Sequence, residues 1–340
     1  MTAISACVPS KIVSNRELNK VMAQEEVDKL VNSIGIEERR HADDDVASSD
    51  LCYKAAEKLL SDNNIDKNTI DMLLFLTLTP DYVSPPTSCV LQHRLGLPES
   101  CATLDLSLAC SGFIYGLSTA YAFASIPNIN RVLLLVGETM SKLANPRDMV
   151  NYPLYGDAGT ACLIEKGEFG DATFLLTSDG QGEKSVIVPS RGYRNPLTAD
   201  SLIDKECENG NFRRDIDITM DGIDTFNHAI KVIPKQVKEL MQACEITQDD
   251  VDYLVSHQAN KLMINFIVKR LKFDTNKVPF SIEKFGNTSC ASVPLTIVSE
   301  LKDKLQGKNR ILMSSIGAGW SYATAYLNTV DLKVSQIIDY

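Results

Sequence analysis

Three polar clusters in the sequence contain residue types that could carry out chemistry at a sulfur atom. The first contains Cys110, in Ala109-Cys-Ser-Gly112, where a predicted buried strand over 104–109 gives way to helical spacing of apolar residues. A cysteine there would lie near the unpaired N–H groups of a helix N-terminus, which favour a thiolate. The alternative is a small core residue, because free cysteines are among the most buried residues. Position alone leaves both interpretations open.

His257 and Asn287 are the candidates to act with Cys110. His257 lies in Ser256-His-Gln-Ala-Asn260, between a predicted strand over 252–256 and a predicted helix over 260–271. Asn287 lies in a small polar turn, where it is either a helix N-cap or an amide that faces a site. Ligands of open parallel sheets bind outside the carboxyl ends of the strands, and all three clusters are predicted at such ends. A cysteine, a histidine and an asparagine brought together would support nucleophilic chemistry at sulfur.

The elements that must position these residues alternate between strand and helix, and their order occurs twice. Asp71 and Asp252 open corresponding apolar runs, and so do Arg131 and Arg310. This alternation predicts parallel sheets with crossover helices, in two similar halves. The polar stretch 190–217 is the predicted insertion. The predicted helices are 15–30, 49–60, 87–95, 226–243, 260–271 and 293–305, and the predicted strands are 70–78, 104–109, 131–137, 252–256 and 310–316.

Composition excludes several classes of function. The chain has 340 residues and a net charge of −10, which argues against nucleic acid as the main partner. Nine cysteines without a CxxC pair favour free thiols in a reducing compartment over disulfides or a metal site. No apolar run reaches the ~20 residues that span a bilayer. We expect a cytoplasmic protein without a signal peptide, a metal or a membrane partner.

Five ordered motifs make the sequence resemble the β-ketoacyl-acyl carrier protein synthase III family of the thiolase superfamily. The motifs are Asp105–Gly116 around Cys110, Tyr155-Gly-Asp-Ala-Gly-Thr-Ala161, Ser256–Asn260, Phe285–Pro294 and Ile316-Gly-Ala-Gly-Trp320. The resemblance covers nearly the whole chain. It implies a five-layered α/β/α/β/α thiolase-like fold with two pseudo-symmetric halves. Residues 1–165 would carry the nucleophile, residues 166–340 would carry the histidine and asparagine, and the protein would be a homodimer.

The resemblance also implies a mechanism without a cofactor. Cys110 would be acylated by a thioester of coenzyme A or of a carrier protein, with the N–H groups of Cys110 and Gly319 as the oxyanion hole. His257 and Asn287 would donate hydrogen bonds to the carbonyl of a malonyl-type thioester on an acyl carrier protein. Decarboxylation would leave a carbanion that attacks the acyl group and gives a β-ketoacyl product, in fatty-acid or polyketide-like biosynthesis.

Two further roles follow from the resemblance. Ser84 aligns with a position that often carries a bulky stop of the acyl pocket across the dimer, so a small residue there would admit a chain longer than acetyl. Lys261, Lys269 and Arg270, on the helix after the histidine motif, are the expected docking residues for an acidic carrier protein. Their alternative interpretation is an ordinary solvated helix face.

Four positions depart from the family pattern. A tryptophan and an arginine that hold the adenine end of coenzyme A align with Lys29 and Ser33, and two further arginines align with Met149 and Leu262. These differences weaken the case for coenzyme A as the donor of the starter. They make an acyl-carrier-protein donor, and a specialised pathway, plausible alternatives.

Other functions remain open from the sequence. The same acyl-Cys110 could transfer its acyl group to an amine or an alcohol, although such transfer does not need the enolate site of His257 and Asn287. A catalytically silent partner subunit conflicts with the intact set of three residues. A degradative thiolase would need a second cysteine as acid and base, and Cys290 is better explained as a small packing residue. The Tyr155 motif has the wrong spacing for a phosphate-binding loop and is expected to shape a turn.

Overall fold

The computed structural model describes residues 1–340 as eight α-helices and seventeen strands, of which eleven form two main sheets and six form three small two-stranded sheets. The helices are α1 (Gln24–Ile34), α2 (Ser48–Asp62), α3 (Thr87–Leu95), α4 (Gly112–Ala124), α5 (Gly222–Ala243), α6 (Lys261–Leu271), α7 (Ile282–Phe285) and α8 (Ser292–Leu301). The strands before residue 170 are β1 (Ala3–Val8), β2 (Ile12–Ser14), β3 (Glu38–Arg40), β4 (Met72–Leu76), β5 (Ala102–Leu106), β6 (Arg131–Thr139) and β7 (Asp157–Glu165). The later strands are β8 (Ala172–Ser178), β9 (Val186–Ile187), β10 (Lys205–Glu206), β11 (Phe212–Arg213), β12 (Thr219–Met220), β13 (Tyr253–Ser256), β14 (Lys308–Gly317), β15 (Ser321–Val330), β16 (Lys333–Val334) and β17 (Ile338–Asp339).

The two main sheets share one pairing pattern. The first has the order β16-β1-β7-β6-β4-β5, with β17 also paired to β1, and the second has the order β13-β14-β15-β8. In each, a parallel pair (β4 with β6, β13 with β14) continues into two antiparallel neighbours. The carboxylate of Asp71 accepts the main-chain N–H of Arg131 at 3.0 Å, and that of Asp252 accepts the N–H of Arg310 at 2.8 Å. The predicted repeat is therefore present, with equivalent contacts in both halves.

Helices separate and cover the sheets in five layers. Helices α2 and α3 contact only the first sheet and bury one apolar cluster against it. Helices α4 and α8 contact both sheets and form the central layer, with the largest apolar cluster of the molecule around them. Helices α5 and α6 cover the outer face of the second sheet. This is the predicted five-layered α/β/α/β/α arrangement.

Two predicted elements differ from the structure. The helix predicted over 15–30 is a 3-10 helix, Asn15–Lys20, followed by α1, because Asn15 turns its side chain inward to the carbonyls of Ile36 and Pro153. The buried strand predicted over 104–109 is β5, and it forms the outer edge of its sheet with Leu104 exposed. An edge strand has no neighbour to cover it, which its apolar sequence could not reveal.

The last residues return to the beginning of the chain. Strands β16 and β17 pair in parallel with β1, and the N–H of Tyr340 donates to the carbonyl of Val8 at 2.8 Å. The segment after residue 166 therefore supplies two strands to the first sheet as well as the whole second sheet. The boundary between residues 165 and 166 stays a prediction.

The polar stretch 190–217 folds back on the segment 145–152 through ion pairs. Arg213 pairs with the buried Asp148 at 2.6 Å, and Arg147 pairs with Asp204 at 3.1 Å. Strands β9 and β12, on either side of this stretch, pair with each other and hold its ends together. Among the helices of the chain, none combines the length and the apolar character needed to cross a membrane.

Candidate active site

A single cavity of about 340 Å³ lies between the two halves and brings the three predicted residues together. Cys110, His257 and Asn287 all line it, although they come from the end of the β5 segment, the end of β13 and the loop after α7. No Asp, Glu, Lys or Arg side chain contributes to its wall, and 16 of its 21 lining residues are hydrophobic. Substrate groups in this cavity therefore meet an uncharged, mostly apolar environment.

Cys110 lies two residues before α4, on the predicted turn. Its Sγ lies 3.8 Å from the hydroxyl of Ser289. Burial in the apolar cavity raises the pKa of the Cys110 thiol to about 11, and the contact with Ser289 opposes this only in part. Desolvation therefore favours the neutral thiol and opposes the thiolate that a helix N-terminus would favour.

His257 follows β13 and is a neutral imidazole. Burial lowers its pKa to about 4. Its Nδ1 lies 2.7 Å from the hydroxyl of Ser292, and that hydroxyl oxygen also accepts the N–H of Gln258 at 3.4 Å. A Ser292 hydroxyl that donates to Nδ1 places the imidazole proton on Nε2. In that tautomer His257 presents a neutral N–H donor to the cavity.

Asn287 is held by main-chain bonds on both sides and does not cap a helix. Its N–H donates to the carbonyl of Leu154 at 2.8 Å, and its carbonyl accepts the N–H of Gly156 at 3.1 Å. Its side-chain Oδ1 accepts the N–H of Ser289 at 2.9 Å. Because the oxygen is used within the loop, the amide NH₂ remains to donate into the cavity. Asn287 is therefore a second uncharged donor.

The Tyr155 motif shapes the floor behind Asn287. Tyr155 lines the cavity and forms a β-bridge with Asn287. A Cβ at Gly156 would lie 2.1 Å from the carbonyl oxygen of Phe285, so only glycine allows this close approach. The motif is part of the fold around the site, as its spacing predicted.

The glycine turn 316–320 lies beside the nucleophile segment. Gly317 and Ala318 line the cavity, whereas Gly319 is exposed and is not part of the wall. A Cβ at Gly317 would lie 2.9 Å from the main-chain nitrogen of Ser111, so this turn packs directly on the nucleophile segment. The role of the Gly319 N–H in the oxyanion hole stays a prediction.

The remaining candidates lie outside the cavity of their own subunit. Ser84 is exposed in the loop between β4 and α3. Lys269 and Arg270 are exposed at the end of α6, and Arg270 donates to the carbonyl of Ile230. Lys261, at the start of α6, is half-buried in an ion pair with Glu283. Only Lys269 and Arg270 are left as exposed charges of the predicted docking set.

The positions that depart from the family pattern lie together on the surface near α1 and α6. Ser33 and Leu262 line one shallow pocket there, and Lys29 is exposed on α1. Met149 packs into a small apolar cluster with Leu18, Val27 and Val31. Met149 is thus committed to packing and has no charge to offer a phosphate.

Sequence reasoning missed several residues of the cavity wall. Val186, Ile187 and Val188 on one side and Ile218 and Met220 on the other line the cavity. They belong to β9 and β12 and the residues beside them. The available signal was a pair of short apolar runs flanking the polar stretch 190–217. Met220 also lines a wider surface groove of about 750 Å³, which therefore adjoins the cavity.

The fold and the site together define a thiolase-like enzyme, and comparisons with known proteins narrow the class. The family model for 3-oxoacyl-[acyl-carrier-protein] synthase III matches residues 104–180, and the model for its C-terminal part matches residues 241–329. A putative 3-oxoacyl-[acyl-carrier-protein] synthase 3 from Campylobacter jejuni is 34% identical, over 100% of this chain and 96% of that protein.

Solved structures of similar proteins place the chain in the same class of enzyme. A 3-oxoacyl-(acyl-carrier protein) synthase from Burkholderia xenovorans LB400 is 36% identical with a TM-score of 0.93, and the match covers 100% of this chain and 96% of that one. The priming β-ketosynthase of the R1128 polyketide biosynthetic pathway is 27% identical with a TM-score of 0.83, covering 97% and 95% of the two chains. The chain belongs to the β-ketoacyl-acyl carrier protein synthase III family.

Proposed function

We propose that the protein catalyses decarboxylating Claisen condensation between an acyl group on Cys110 and a malonyl-type thioester on an acyl carrier protein. The observation that carries this proposal is the uncharged cavity in which a thiol and two neutral donors, His257 and Asn287, meet. Acyl transfer to an amine or an alcohol would use the thiol alone and would leave the two donors without a role.

In the first half-reaction the acyl donor enters and the Cys110 sulfur attacks its carbonyl. A new bond between Sγ and the acyl carbon forms, the bond to the donor sulfur breaks, and the thiol proton leaves with the donor thiol. Main-chain N–H groups of Cys110 and Gly319 stabilise the oxyanion of the tetrahedral intermediate.

In the second half-reaction the malonyl thioester carbonyl accepts hydrogen bonds from Nε2 of His257 and the NH₂ group of Asn287. The bond to the carboxylate breaks, carbon dioxide leaves, and the electron pair forms an enolate that these donors stabilise. An apolar wall favours loss of the carboxylate because it offers that charge no partner. The enolate carbon then attacks the acyl carbonyl, the Cys110 sulfur leaves as a thiolate that takes up a proton from solvent, and the β-ketoacyl thioester is released.

The groove beside the cavity suits a phosphopantetheine arm better than the nucleotide of coenzyme A. Its only cationic lining residue is Arg213, whose guanidinium is committed to the carboxylate of Asp148. Glu208 and Asp221 add negative charge to the same lining. We therefore propose that an acyl carrier protein delivers the starter as well as the malonyl group, in a specialised pathway. The cavity volume supports a starter longer than acetyl.

A homodimer accounts for the exposed apolar edge near Ser84. Strand β5 has no neighbour on its outer side, Leu104 on it is 38% exposed, and Tyr82 and Val83 are 58% and 80% exposed. Such an edge is a surface for pairing with another chain. In a dimer through β5, the loop that carries Ser84 would reach toward the cavity of the partner subunit.

Intact-protein mass spectrometry tests the proposed function. The protein is incubated with octanoyl and acetyl thioesters of coenzyme A and of acyl carrier protein, and then with malonyl carrier protein. We expect a mass increase on wild type that Cys110→Ala abolishes, faster labelling from the carrier protein, and release of carbon dioxide with a β-ketoacyl product. Labelling of Cys110 without release of carbon dioxide would contradict condensation and favour plain acyl transfer.

A further inference from the structure

Glu138 is a fully buried carboxylic acid beneath the site, and none of the chemistry above uses it. It lies near the end of β6 with 0% of its surface exposed, and its Oε1 and Oε2 accept from four other groups. The N–H of Leu78 donates to both oxygens, at 3.1 and 3.2 Å. The hydroxyls of Thr77 and Thr79 donate to Oε2 at 3.1 and 3.0 Å. The thiol of Cys290 donates to Oε1 at 3.2 Å.

These partners are parts of the catalytic cavity. Leu78 lines the cavity wall, and Cys290 follows Ser289, whose hydroxyl faces the sulfur of Cys110 and whose N–H orients the amide of Asn287. Ser289 has a left-handed φ of 51°, a conformation that needs support from its surroundings in a residue other than glycine. The sequence suggested that Cys290 only fills space. Its thiol also donates to Glu138 and therefore ties this loop to β6.

The surroundings are built for a carboxylate and not for an amide. The hydroxyl of Thr79 accepts the N–H of Thr139 at 3.1 Å, and it lies 3.0 Å from Oε2 of Glu138 and 3.2 Å from the hydroxyl of Thr77. The N–H of Leu78 bridges both oxygens, so a glutamine in either orientation would set its NH₂ group against a donor. Glutamine is therefore a close match in shape that satisfies this site less fully than a carboxylate does.

We propose that Glu138 is a positioning residue for condensation: its carboxylate joins the wall at Leu78 to the loop of Asn287 through Cys290, and so holds the second donor in place. This inference rests on the proposed function and adds a residue to it. A displacement of about 1 Å in a catalytic group can slow a reaction about 10²-fold, so a clamp on this loop has kinetic consequences.

A pH dependence follows from the same arrangement. Burial raises the pKa of Glu138 to about 7, and the thiol of Cys290 and the N–H of Leu78 oppose the shift. The titratable groups that face it are the thiols of Cys290, Cys110 and, from α2, Cys52, and no cation is among the groups that hold it. Protonation of Glu138 removes an acceptor, so condensation should slow as the pH falls through about 7.

The test compares Glu138→Gln with a matched control at the opposite end of the same strands. Asp71 joins β4 to the start of β6 through the N–H groups of Asn130 and Arg131, about 20 Å away along the strands. Each variant is assayed for self-acylation by mass spectrometry, for condensation by release of carbon dioxide between pH 6 and 9, and for stability by urea unfolding.

For Glu138→Gln we expect condensation about ten- to a hundredfold slower at pH 8, self-acylation within about threefold of wild type, and loss of the rate decrease below pH 7. Unfolding at pH 8 should require no less urea, because the variant no longer buries an ionised group. Asp71→Asn should condense at the wild-type rate. A wild-type condensation rate in Glu138→Gln, or an equal slowing in Asp71→Asn, would overturn the positioning role.

Variants of Cys290 test whether Glu138 acts through its hydrogen bond with the Cys290 thiol. Cys290→Ser keeps a donor to Glu138 and should condense within about threefold of wild type, whereas Cys290→Ala should slow condensation about tenfold. Equal rates in the two variants would show that Glu138 does not act through this residue. If wild type releases no carbon dioxide, the proposed function fails and this proposal fails with it; if wild type and Glu138→Gln release it at equal rates, only this proposal fails.

Discussion

Replacing His257 by alanine should separate the two half-reactions. In the proposed mechanism its Nε2 is one of two uncharged donors for the malonyl carbonyl, and Asn287 would remain as the other. Removing one donor from an oxyanion site lowers the rate about 10²–10³-fold, or about 2.7–4 kcal/mol. Self-acylation should stay within about threefold of wild type, because the contact of the Cys110 sulfur is with Ser289 and the oxyanion donors of that step are main-chain groups.

The same variant should change how stability depends on pH. The pKa of His257 falls from 6.5 to about 4 on folding, so the unfolded chain binds the extra proton between these values. Stability from this group is therefore complete above pH 6.5 and is lost as the pH falls toward 4. A shift of about 2.5 pKa units corresponds to about 3 kcal/mol. Between pH 7.5 and pH 5 the difference in unfolding free energy between wild type and His257→Ala should shrink by about 2 kcal/mol, the larger part of that amount.

Three measurements decide the outcome. Intact mass after incubation with an acyl thioester reports self-acylation, release of carbon dioxide from a malonyl thioester reports the second step, and urea unfolding at pH 7.5, 6 and 5 reports stability. His93→Ala, which changes an exposed histidine of α3, is the matched control and should behave as wild type. Loss of self-acylation in a folded His257→Ala protein, or a wild-type rate of decarboxylation, would refute the division of roles.

Further variants test docking, chain length and assembly. Lys269→Glu combined with Arg270→Glu should raise KM for the carrier protein about tenfold at low salt, whereas Lys235→Glu on α5 should not; equal KM values in steady-state kinetics would remove the docking role. Leu143→Trp, on the cavity wall, should lower kcat/KM for octanoyl relative to acetyl starters at least tenfold, and an unchanged ratio would contradict our assignment of the acyl pocket. Leu104→Lys, on the exposed edge of β5, should convert a dimer into monomers in light scattering after gel filtration, and a monomeric wild type would contradict the proposed interface.

The elements of the fold could be predicted where their ends and their burial leave a signal in the local sequence. Helix α3 has the predicted bounds, since Pro85-Pro86 and Gly96 mark its two ends. Strand β5 was predicted as buried because of its leucines, but its apolar sequence does not reveal whether a strand lies on each side of it. Strands β7 and β15 were missed, because their alanines, threonines and glycine give no continuous apolar run, although both are buried between neighbours.

The identity of the site residues could be predicted from their motifs. Properties that depend on the surroundings of a side chain in the fold could not. The sequence identified Cys110, His257 and Asn287 by their turns, and the structure brings them to one cavity. It could not give the protonation of Cys110, because desolvation by the surrounding wall opposes the helix terminus and the wall comes from distant segments. Glu138 escaped notice for the same reason: its partners lie on two other segments of the chain.

The return of β16 and β17 to β1 sets an order on folding during synthesis. One side of β1 is covered by residues 333–339, which leave the ribosome after all the other strands. Until then the first sheet exposes a free row of main-chain donors and acceptors, the kind of surface from which aggregation begins. A nascent chain paused before residue 333 should therefore depend on chaperones even though its catalytic cavity is fully encoded.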